Sequence, residues 1–170
     1  WYIIDGDIIA RQITEKGSAV LPLLQKAFGN DILDEKGELI RKRLAERAFS
    51  SKENTALLNS ITHPEITRRF KDELSAAEKQ GYKATVIDAA ALLESEGRSL
   101  CEKIVVVHAD ESTRLQRILK RDSITTEQAM TRIKAQKDDE YYFRQADIII
   151  RNHTPYNLED ELLKLEELIS

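Results

Sequence analysis

The stretch YIIDGDIIAR, residues 2–11, decides the fold. Its first residues predict a short buried strand of a parallel sheet that ends at Asp5, and Gly6 and Asp7 then turn the chain into a helix that Asp7 can cap. Ligands of open α/β sheets bind at the carboxyl ends of the strands. A carboxylate at this edge is placed to meet a substrate hydroxyl or a magnesium ion. The alternative is that Asp7 does no more than cap the helix.

The composition indicates one domain with mixed, solvated surfaces. The chain has 170 residues, 33% of them charged, with a net charge of -4. This near balance argues against non-specific binding to nucleic acid or to an anionic membrane. The single cysteine, Cys101, excludes an intrachain disulfide and fits a reducing compartment. The longest apolar runs are strand-sized, so we expect no membrane-spanning helix, no signal peptide and a cytoplasmic protein.

Helical patterns fill residues 15–82, which is far more than an ordinary crossover between two strands contains. This block predicts a helical substrate-binding insertion on a parallel sheet. Within it, Ser50 or Ser51 can cap one helix, and Pro64 is expected to open a new long one. The sheet then resumes with strands that end at Asp88 and Val107, and a last strand covers residues 147–151.

Three further helices are predicted in the second half of the chain. Asp110 can cap the first of them, and Thr125 with Gln128 forms a capping-box pattern for the second. The third is a closing helix over residues 158–169.

Asp7 lies just past the end of the first predicted strand, and Asp88 is the last residue of another. Phosphoryl transfer uses such a pair of carboxylates at one sheet edge, with one group near the attacking hydroxyl and the other near the metal. Strand-end Asp residues are also common turn formers, so the pattern by itself leaves both interpretations open.

Arg114, Arg117 and Arg121 follow one another at spacings of three and four, and therefore line one face of a helix. Arg132 lies on the next helix. Such a stripe is usually a solvated face. The alternative is a mobile two-helix lid that brings guanidinium groups onto phosphates. A planar guanidinium group can donate two parallel hydrogen bonds to two oxygens of one phosphate. Arg121 can also form a local ion pair with Asp122, which would contribute roughly 0 to 1 kcal/mol.

The three histidines differ in what the sequence says of them. His63 precedes Pro64 and is expected at a helix N-terminus, where the helix dipole lowers the pKa of an imidazole and favours anions. A plain helix-entry residue is an equal alternative. His108 and His153 have no partner at the spacing of metal ligands, so no function is assigned to them.

Several segments, in order, resemble the dephospho-coenzyme A kinase family. Residues 4–11 (IDGDIIAR) are similar to its I-D-A-D-x-I-A-R, residues 61–64 (ITHP) to its T-H-P, and residues 87–95 (IDAAALLES) to its D-x-P-L-L-F-E-S. The family's lid is matched by residues 117–122 (RILKRD) and 129–136 (AMTRIKAQ), and its A-D-x-V-I-D-N strand by residues 146–152 (ADIIIRN). The similarity extends over essentially the whole chain.

The resemblance implies a P-loop kinase-like α/β fold, with three α/β/α layers, a parallel sheet, a helical substrate-binding insertion and a two-helix lid. It implies transfer of the γ-phosphoryl group of ATP, with Mg²⁺, to the ribose 3′-hydroxyl of dephospho-coenzyme A. The implied subregions are a nucleotide-binding core of residues 1–14, 83–109 and 146–170, a coenzyme A-binding region of residues 15–82, and a lid of residues 110–145.

The matched motifs also imply roles for individual residues. Asp7 matches the acidic residue that orients or deprotonates the hydroxyl, and Arg121 matches a catalytic lid position. The residues implied on the substrate side are Asp5, Arg11, His63, Asp88, Leu92 and Leu93. The residues implied on the nucleotide side are Arg117, Arg132 and Asn152. No residue is assigned as a dedicated metal ligand.

One departure from the family concerns its phosphate loop, G-x-x-x-x-G-K-[ST], which lies before the I-D-A-D segment and is absent from this sequence. We expect roughly 30 further residues upstream of Trp1 in the natural protein, forming a strand, a loop and a helix. That strand would be the central one of the sheet. Without this segment, residues 1–170 alone are expected to be inactive. In the lid, acidic residues 138–140 lie where relatives often carry Lys or Arg.

Two other functions remain open at this point. The chain can be another small-molecule kinase of the same fold, acting on a nucleoside monophosphate or on shikimate, although the long helical block favours a bulky substrate. It can also be a non-catalytic coenzyme A-binding remnant, if the phosphate loop is truly missing. The expected partners are dephospho-coenzyme A and ATP, with no nucleic acid and no membrane, in a monomer or a small homo-oligomer.

Overall fold

The computed structural model describes residues 1–169, with side chains described through residue 165. The chain divides into two compact units, of which the first covers Trp1–Leu100 and the second begins at Cys101. Within the described residues each unit contains one pair of strands, and both pairs are parallel, as the sequence predicts. No helix within residues 1–169 is both long and apolar enough to cross a membrane.

The first unit consists of two strands and four α-helices. The elements, in order, are β1 (Tyr2–Asp5), α1 (Gly6–Gln12), α2 (Val20–Phe28), α3 (Arg41–Ala48), α4 (Lys52–Lys79) and β2 (Thr85–Asp88). Three short 3₁₀ turns accompany them, at Asn30–Ile32, Leu92–Glu94 and Glu96–Leu100. The helices between the two strands occupy most of the block that the sequence assigns as helical.

The core of the first unit is apolar and draws on the strand and all four helices. Leu24 of α2 and Ile32 in the loop after it are fully buried, and Ile4 of β1 and Phe70 of α4 are each 2% exposed. The Tyr2 hydroxyl donates a hydrogen bond to Glu73 Oε2 at 2.5 Å, which attaches β1 to α4. This bond raises the pKa of the Tyr2 hydroxyl.

Helix α4 is one continuous helix that contains Pro64. Ser51, one of the two serines predicted as possible caps, caps it by accepting a hydrogen bond from Asn54 N at 3.1 Å. The prediction that Pro64 opens a new helix is wrong. Proline removes one backbone hydrogen bond from a helix interior, but Thr67 and Phe70 are buried one to two turns further on and hold the helix in the core.

The second unit consists of two strands and four α-helices in the described part of the chain. The elements, in order, are β3 (Val105–His108), α5 (Glu111–Asp122), α6 (Thr126–Lys134), α7 (Asp139–Phe143), β4 (Ile148–Arg151) and α8 (Leu158–Ile169). The register of the strands pairs Val105 with Ile148 and His108 with Arg151. The short helix α7 was not predicted.

The predicted helix caps of the second unit are confirmed. Asp110 caps α5, and Thr125 with Gln128 forms a complete capping box at the start of α6. Helix α8 packs beside β4 and contributes Glu161, whose buried carboxylate accepts a hydrogen bond from Arg151 N at 2.7 Å. Hydrogen bonds from Lys164 and from this backbone amide lower the pKa of Glu161.

Candidate active site

The carboxyl ends of β1 and β2 lie side by side. Their parallel register pairs Tyr2 with Thr85 at one end and Asp5 with Asp88 at the other. Asp5 and Asp88 are both exposed. The edge at which ligands of parallel sheets bind therefore carries two acidic residues, and α1 begins directly from it.

Asp5, rather than Asp7, caps α1. Its Oδ1 accepts a hydrogen bond from Ile8 N at 3.0 Å, and its backbone is extended, as is usual for an N-cap residue. The prediction that Asp7 caps the helix is wrong, because the helix already begins at Gly6. Asp7 lies exposed in the first turn, and its carboxylate makes no hydrogen bond or ion pair with the residues that the structure describes. It is free to accept a hydrogen bond from a bound hydroxyl.

Gly6 allows α1 to begin this close to the end of β2. A Cβ atom on Gly6 would lie 2.6 Å from Ala89 Cβ and 3.0 Å from the Asp88 carbonyl oxygen. Only a residue without a side chain fits in this space. The contact holds the first turn of α1, and Asp7 with it, against the chain that leaves β2.

Arg11 lies four residues after Asp7, on the same exposed face of α1. The Arg11 carbonyl oxygen accepts a hydrogen bond from Arg41 Nη2 at 3.3 Å, and the same nitrogen donates to Thr14 Oγ1 at 3.1 Å. Arg41 thereby attaches α3 to the end of α1. The face of α1 next to the strand edge presents one acidic and one basic side chain.

His63 lies inside α4 and not at a helix N-terminus. Burial lowers the pKa of its half-buried imidazole, and the negative charge of Glu96 partly opposes this. The direction agrees with the prediction from sequence, but the cause is burial and not the helix dipole. No hydrogen bond or ion pair within the described residues joins His63 to the acidic strand ends.

Leu92 and Leu93 lie in the 3₁₀ turn that follows β2, and both are half-buried. Leu92 packs over Gly97: its Cδ1 is 3.0 Å from the point where a Cβ of Gly97 would lie, and the Phe70 ring is 3.4 Å from the same point. The turn is therefore attached to the core through Leu92. The exposed parts of both leucines remain available to an apolar ligand.

In the second unit, the structure joins two of the residues assigned to the nucleotide side. Arg117 of α5 donates from Nη2 to the Asn152 carbonyl oxygen at 2.8 Å and to Asn152 Oδ1 at 3.1 Å. Asn152 follows the last residue of β4, and its amide donates to the His108 carbonyl oxygen at 2.7 Å. Arg117 and Asn152 thus form one group at the carboxyl ends of β3 and β4.

The two arginines assigned to the lid share one carboxylate. Asp122 accepts hydrogen bonds from Arg121 Nε at 2.6 Å and Arg121 Nη2 at 3.0 Å, and from Arg132 Nη1 at 2.5 Å. These bonds lower the pKa of Asp122 and raise that of Arg121. The local pair of Arg121 with Asp122 is present as expected, whereas the bond from Arg132 to the same carboxylate was not predicted. Both guanidinium groups remain largely exposed, so each keeps free N–H donors.

The sequence assigned no function to His108 and His153, yet the structure brings them together. Their ring centroids are 5.3 Å apart at the carboxyl ends of β3 and β4. His108 Nε2 lies 3.1 Å from Asp139 Oδ2, and His153 Nδ1 lies 2.9 Å from Asp110 Oδ2. The available signal was position rather than spacing, because His108 ends a strand and His153 follows another by two residues.

Solved structures with the same fold cover nearly all of this chain. The crystal structure of a Thermus thermophilus protein superposes with a TM-score of 0.78 at 24% identity, over 99% of this chain and 83% of that one. A dephospho-CoA kinase from Campylobacter jejuni superposes with a TM-score of 0.69 at 27% identity, over 100% of this chain and 85% of that one. The parallel strands, the acidic strand ends and these matches define a P-loop kinase-like α/β protein.

Sequence comparisons identify the family within this class. The family model described as dephospho-CoA kinase matches residues 1–157. A dephospho-CoA kinase of Corynebacterium efficiens is 41% identical over 153 residues, which are 90% of this chain and 76% of the relative. One of Fusobacterium nucleatum is 38% identical over 164 residues, which are 96% of this chain and 82% of the relative. The chain belongs to the dephospho-CoA kinase family, which confirms the resemblance seen in its motifs.

Proposed function

We propose that this protein phosphorylates the ribose 3′-hydroxyl of dephospho-coenzyme A with ATP, the final step of coenzyme A synthesis. The observation that carries the proposal is Asp7, an exposed carboxylate without a hydrogen-bond partner in the described residues, beside the strand ends of a member of this family. Phosphoryl transfer requires mainly positioning and charge neutralisation. Asp7 positions the nucleophile, which is the 3′-hydroxyl.

In this mechanism the Asp7 carboxylate accepts the hydrogen bond of the 3′-hydroxyl and takes its proton as the oxygen attacks the γ-phosphorus. The bond from the γ-phosphorus to the bridging oxygen breaks, and ADP leaves. Asp5, Arg11 and Asp88 orient the acceptor. Asp5 uses one oxygen to cap α1, which leaves its second oxygen for a substrate hydroxyl.

His63, Leu92 and Leu93 are proposed to contact the body of the acceptor. The lowered pKa of His63 favours a neutral imidazole, which can donate and accept hydrogen bonds without adding a charge. The half-buried leucines offer apolar surface to the same ligand. In this proposal residues 15–82 bind coenzyme A, residues 110–145 are the lid, and residues 1–14, 83–109 and 146–170 form the nucleotide-binding core. Ser170, at the end of that core, lies outside the described residues.

Arg121 and Arg132 are proposed to bind the transferring phosphates, while Arg117 and Asn152 lie on the nucleotide side. Asp122 holds the two lid arginines together, so their free N–H groups can act as one donor surface.

Magnesium fits the residues present, although no group of three or more His, Cys, Asp or Glu side chains in the described chain is arranged to hold a metal ion. Mg²⁺ bound with ATP needs only one or two carboxylates in addition to phosphate oxygens and water. The exposed carboxylate of Asp88 has two oxygens, so it can contact this ion with one of them while it orients the acceptor with the other. The ion supplies charge neutralisation on the phosphates when bound.

The 170 residues contain no G-x-x-x-x-G-K-[ST] motif to cradle a triphosphate. We therefore expect these residues, expressed alone, to release no ADP. We also propose a cytoplasmic protein that is a monomer or a small homo-oligomer and that binds neither nucleic acid nor membrane.

The test is ADP release by the protein as its gene encodes it, with ATP and Mg²⁺ and one acceptor at a time: dephospho-coenzyme A, AMP or shikimate. Turnover with dephospho-coenzyme A alone is expected. Turnover with AMP or shikimate instead would assign another kinase reaction on this fold. Binding of dephospho-coenzyme A without ADP release would leave a non-catalytic coenzyme A-binding module.

A further inference from the structure

The loop after β4 is attached to the start of α5 by His153 and Asp110. His153 Nδ1 lies 2.9 Å from Asp110 Oδ2 and 3.1 Å from the Thr154 carbonyl oxygen. Both of these atoms are acceptors, so Nδ1 carries the hydrogen and donates it. The His153 side chain is only 12% exposed and that of Asp110 is 41% exposed, so the donor of this bond is shielded from competing water while the carboxylate is partly solvated.

Asp110 is the N-cap residue of α5, and it uses its two oxygens for two different tasks. Oδ1 accepts hydrogen bonds from Thr113 N at 2.6 Å and from Ser112 Oγ at 2.9 Å, while Oδ2 faces His153. The hydrogen bonds from Thr113 and Ser112 hold the pKa of the Asp110 carboxyl well below its usual range. Asp110 is therefore an anion at neutral pH, and the bond from His153 is charge-assisted.

The His153 ring is held from two sides. Its centroid lies 5.3 Å from that of His108 and 5.1 Å from that of Tyr156, both in edge-on contacts. Aromatic rings prefer this geometry. Because the ring cannot turn freely between these neighbours, Nδ1 stays directed at Asp110.

A second contact between the same loop and the same helix lies next to the first. Arg117, about two turns after Asp110 along α5, donates to the carbonyl and side-chain oxygens of Asn152 at 2.8 and 3.1 Å. Asn152 immediately precedes His153 in the chain. Two bonds thus join the loop to α5, one near the cap and one further along the helix.

We propose that His153 is a positioning residue for nucleotide binding, which acts through Asp110 to hold Asn152 and Arg117 in place at the ends of β3 and β4. The inference rests on the proposed function, because Asn152 and Arg117 have a nucleotide to contact only if the protein binds ATP. His153 itself does not touch the reacting atoms. Its effect on nucleotide binding comes from the hydrogen bond that Nδ1–H donates to Asp110.

The test compares two amide variants, each of which places a nitrogen donor near a different ring nitrogen of His153. The amide nitrogen of Asn lies near the position of Nδ1, whereas that of Gln lies near the position of Nε2. His153→Gln is expected to raise the Kd and the KM for ATP about tenfold or more, the effect of losing one charge-assisted hydrogen bond. Its KM for the acceptor should stay unchanged. His153→Asn is expected to restore most of the ATP affinity, since it retains a donor at the correct place.

Asp110→Ser provides a second variant in case His153→Gln does not fold. Serine also caps helices well, but its side chain is too short to replace the carboxylate oxygen that faces His153. It should raise the Kd for ATP as His153→Gln does. Thermal unfolding of each variant checks that the fold is intact.

Calorimetry with ATP alone and without acceptor, on the protein and variants as the gene encodes them, separates this inference from the proposed function. Unchanged ATP affinity in both His153→Gln and Asp110→Ser would overturn the role of His153 while leaving the kinase reaction standing. Equal losses in His153→Asn and His153→Gln would also overturn it, because the donor at Nδ1 would not be what matters. Weaker ATP binding in His153→Gln, in a protein that does not phosphorylate dephospho-coenzyme A, would support the inference and refute that choice of acceptor. No ATP binding by the unmodified protein would overturn both.

Discussion

Asp7→Asn tests whether the free carboxylate at the start of α1 acts in catalysis. The substitution keeps the size of the side chain and removes its charge and its ability to take a proton. Asp7 is exposed and has no hydrogen-bond partner among the described residues, so the change removes no contact that stabilises the fold. We expect kcat to fall about 100-fold or more, the usual effect of losing a positioned general base.

The structure also sets the expected change in stability. An exposed residue outside any network changes the free energy of unfolding by about 0.5 kcal/mol or less. The loss of a negative charge near the helix N-terminus adds about 0.3 to 1 kcal/mol. By contrast, a 100-fold fall in kcat corresponds to about 2.7 kcal/mol in the barrier. The effect on the rate should therefore clearly exceed the effect on stability.

Asp5→Asn is the matched control, since it removes the same charge two residues away. Asn caps helices as well as Asp does, so the hydrogen bond from Ile8 N is retained. We expect this variant to raise the KM for dephospho-coenzyme A and to lower kcat by no more than about threefold. This is the effect of losing a contact that the substrate makes equally in the ground state and in the transition state. The assay is steady-state ADP release, with thermal unfolding alongside. Near-normal kcat in Asp7→Asn, or equal losses of kcat in both variants, would refute a specific role for Asp7.

Three further changes test the surroundings of the site. Gly6→Ala puts a methyl group 2.6 Å from Ala89 Cβ, so urea denaturation should show a loss of about 1 to 3 kcal/mol. The double change with Ala89→Gly should recover part of it, and no recovery would refute the contact as the cause. Burial lowers the pKa of His63 below 6.5. As the pH falls below 6.5, the unfolded chain therefore binds more protons than the folded chain. The free energy of unfolding declines with falling pH until the pKa of the folded state is passed. His63→Gln should make this decline smaller, and an identical pH profile would contradict the burial of an uncharged imidazole. Asp122→Asn should raise the KM for ATP about tenfold, because Asn carries no charge and keeps only one of the two acceptor oxygens that hold the two lid arginines together. The stability change should be only about 0 to 1 kcal/mol. An equal rise in the KM for the acceptor would show that Asp122 does not act on the nucleotide side.

Much of the fold could be predicted from local patterns. Short apolar runs predicted the parallel strands, and Asp110 and Thr125 were correctly predicted as helix caps. Ser51 was one of two serines predicted as possible caps of α4. These features depend on residues a few positions apart. A cap needs only its own side chain and an amide three residues on, so the sequence contains the whole interaction.

The residue that caps α1 could not be predicted from local patterns. Asp5 and Asp7 are both acceptable caps, and nothing nearby in the chain chooses between them. The structure begins the helix at Gly6, whose lack of a side chain lets it lie against Ala89. That contact joins residues far apart in the sequence. It leaves Asp5 as the cap and Asp7 free.

The continuity of α4 could not be predicted from local patterns either. By local rules Pro64 is a good first residue of a helix. In the folded chain the buried residues Thr67 and Phe70 continue the helix across it, and packing of this kind stabilises more than the one lost hydrogen bond costs. His63 is consequently inside a helix and half-buried.

The sequence by itself determined the family, the parallel α/β class and the acidic residues at the ends of β1 and β2, because ordered motifs and short-range patterns carry that information. Only the tertiary structure decided which aspartate is free, that Asp122 joins Arg121 to Arg132, and that His153 reaches Asp110. The physical reason is that these contacts depend on how elements pack, as α5 does on α6 and as parallel strands do when they end at the same edge. Such packing brings together side chains whose separation in the sequence gives no indication of a contact.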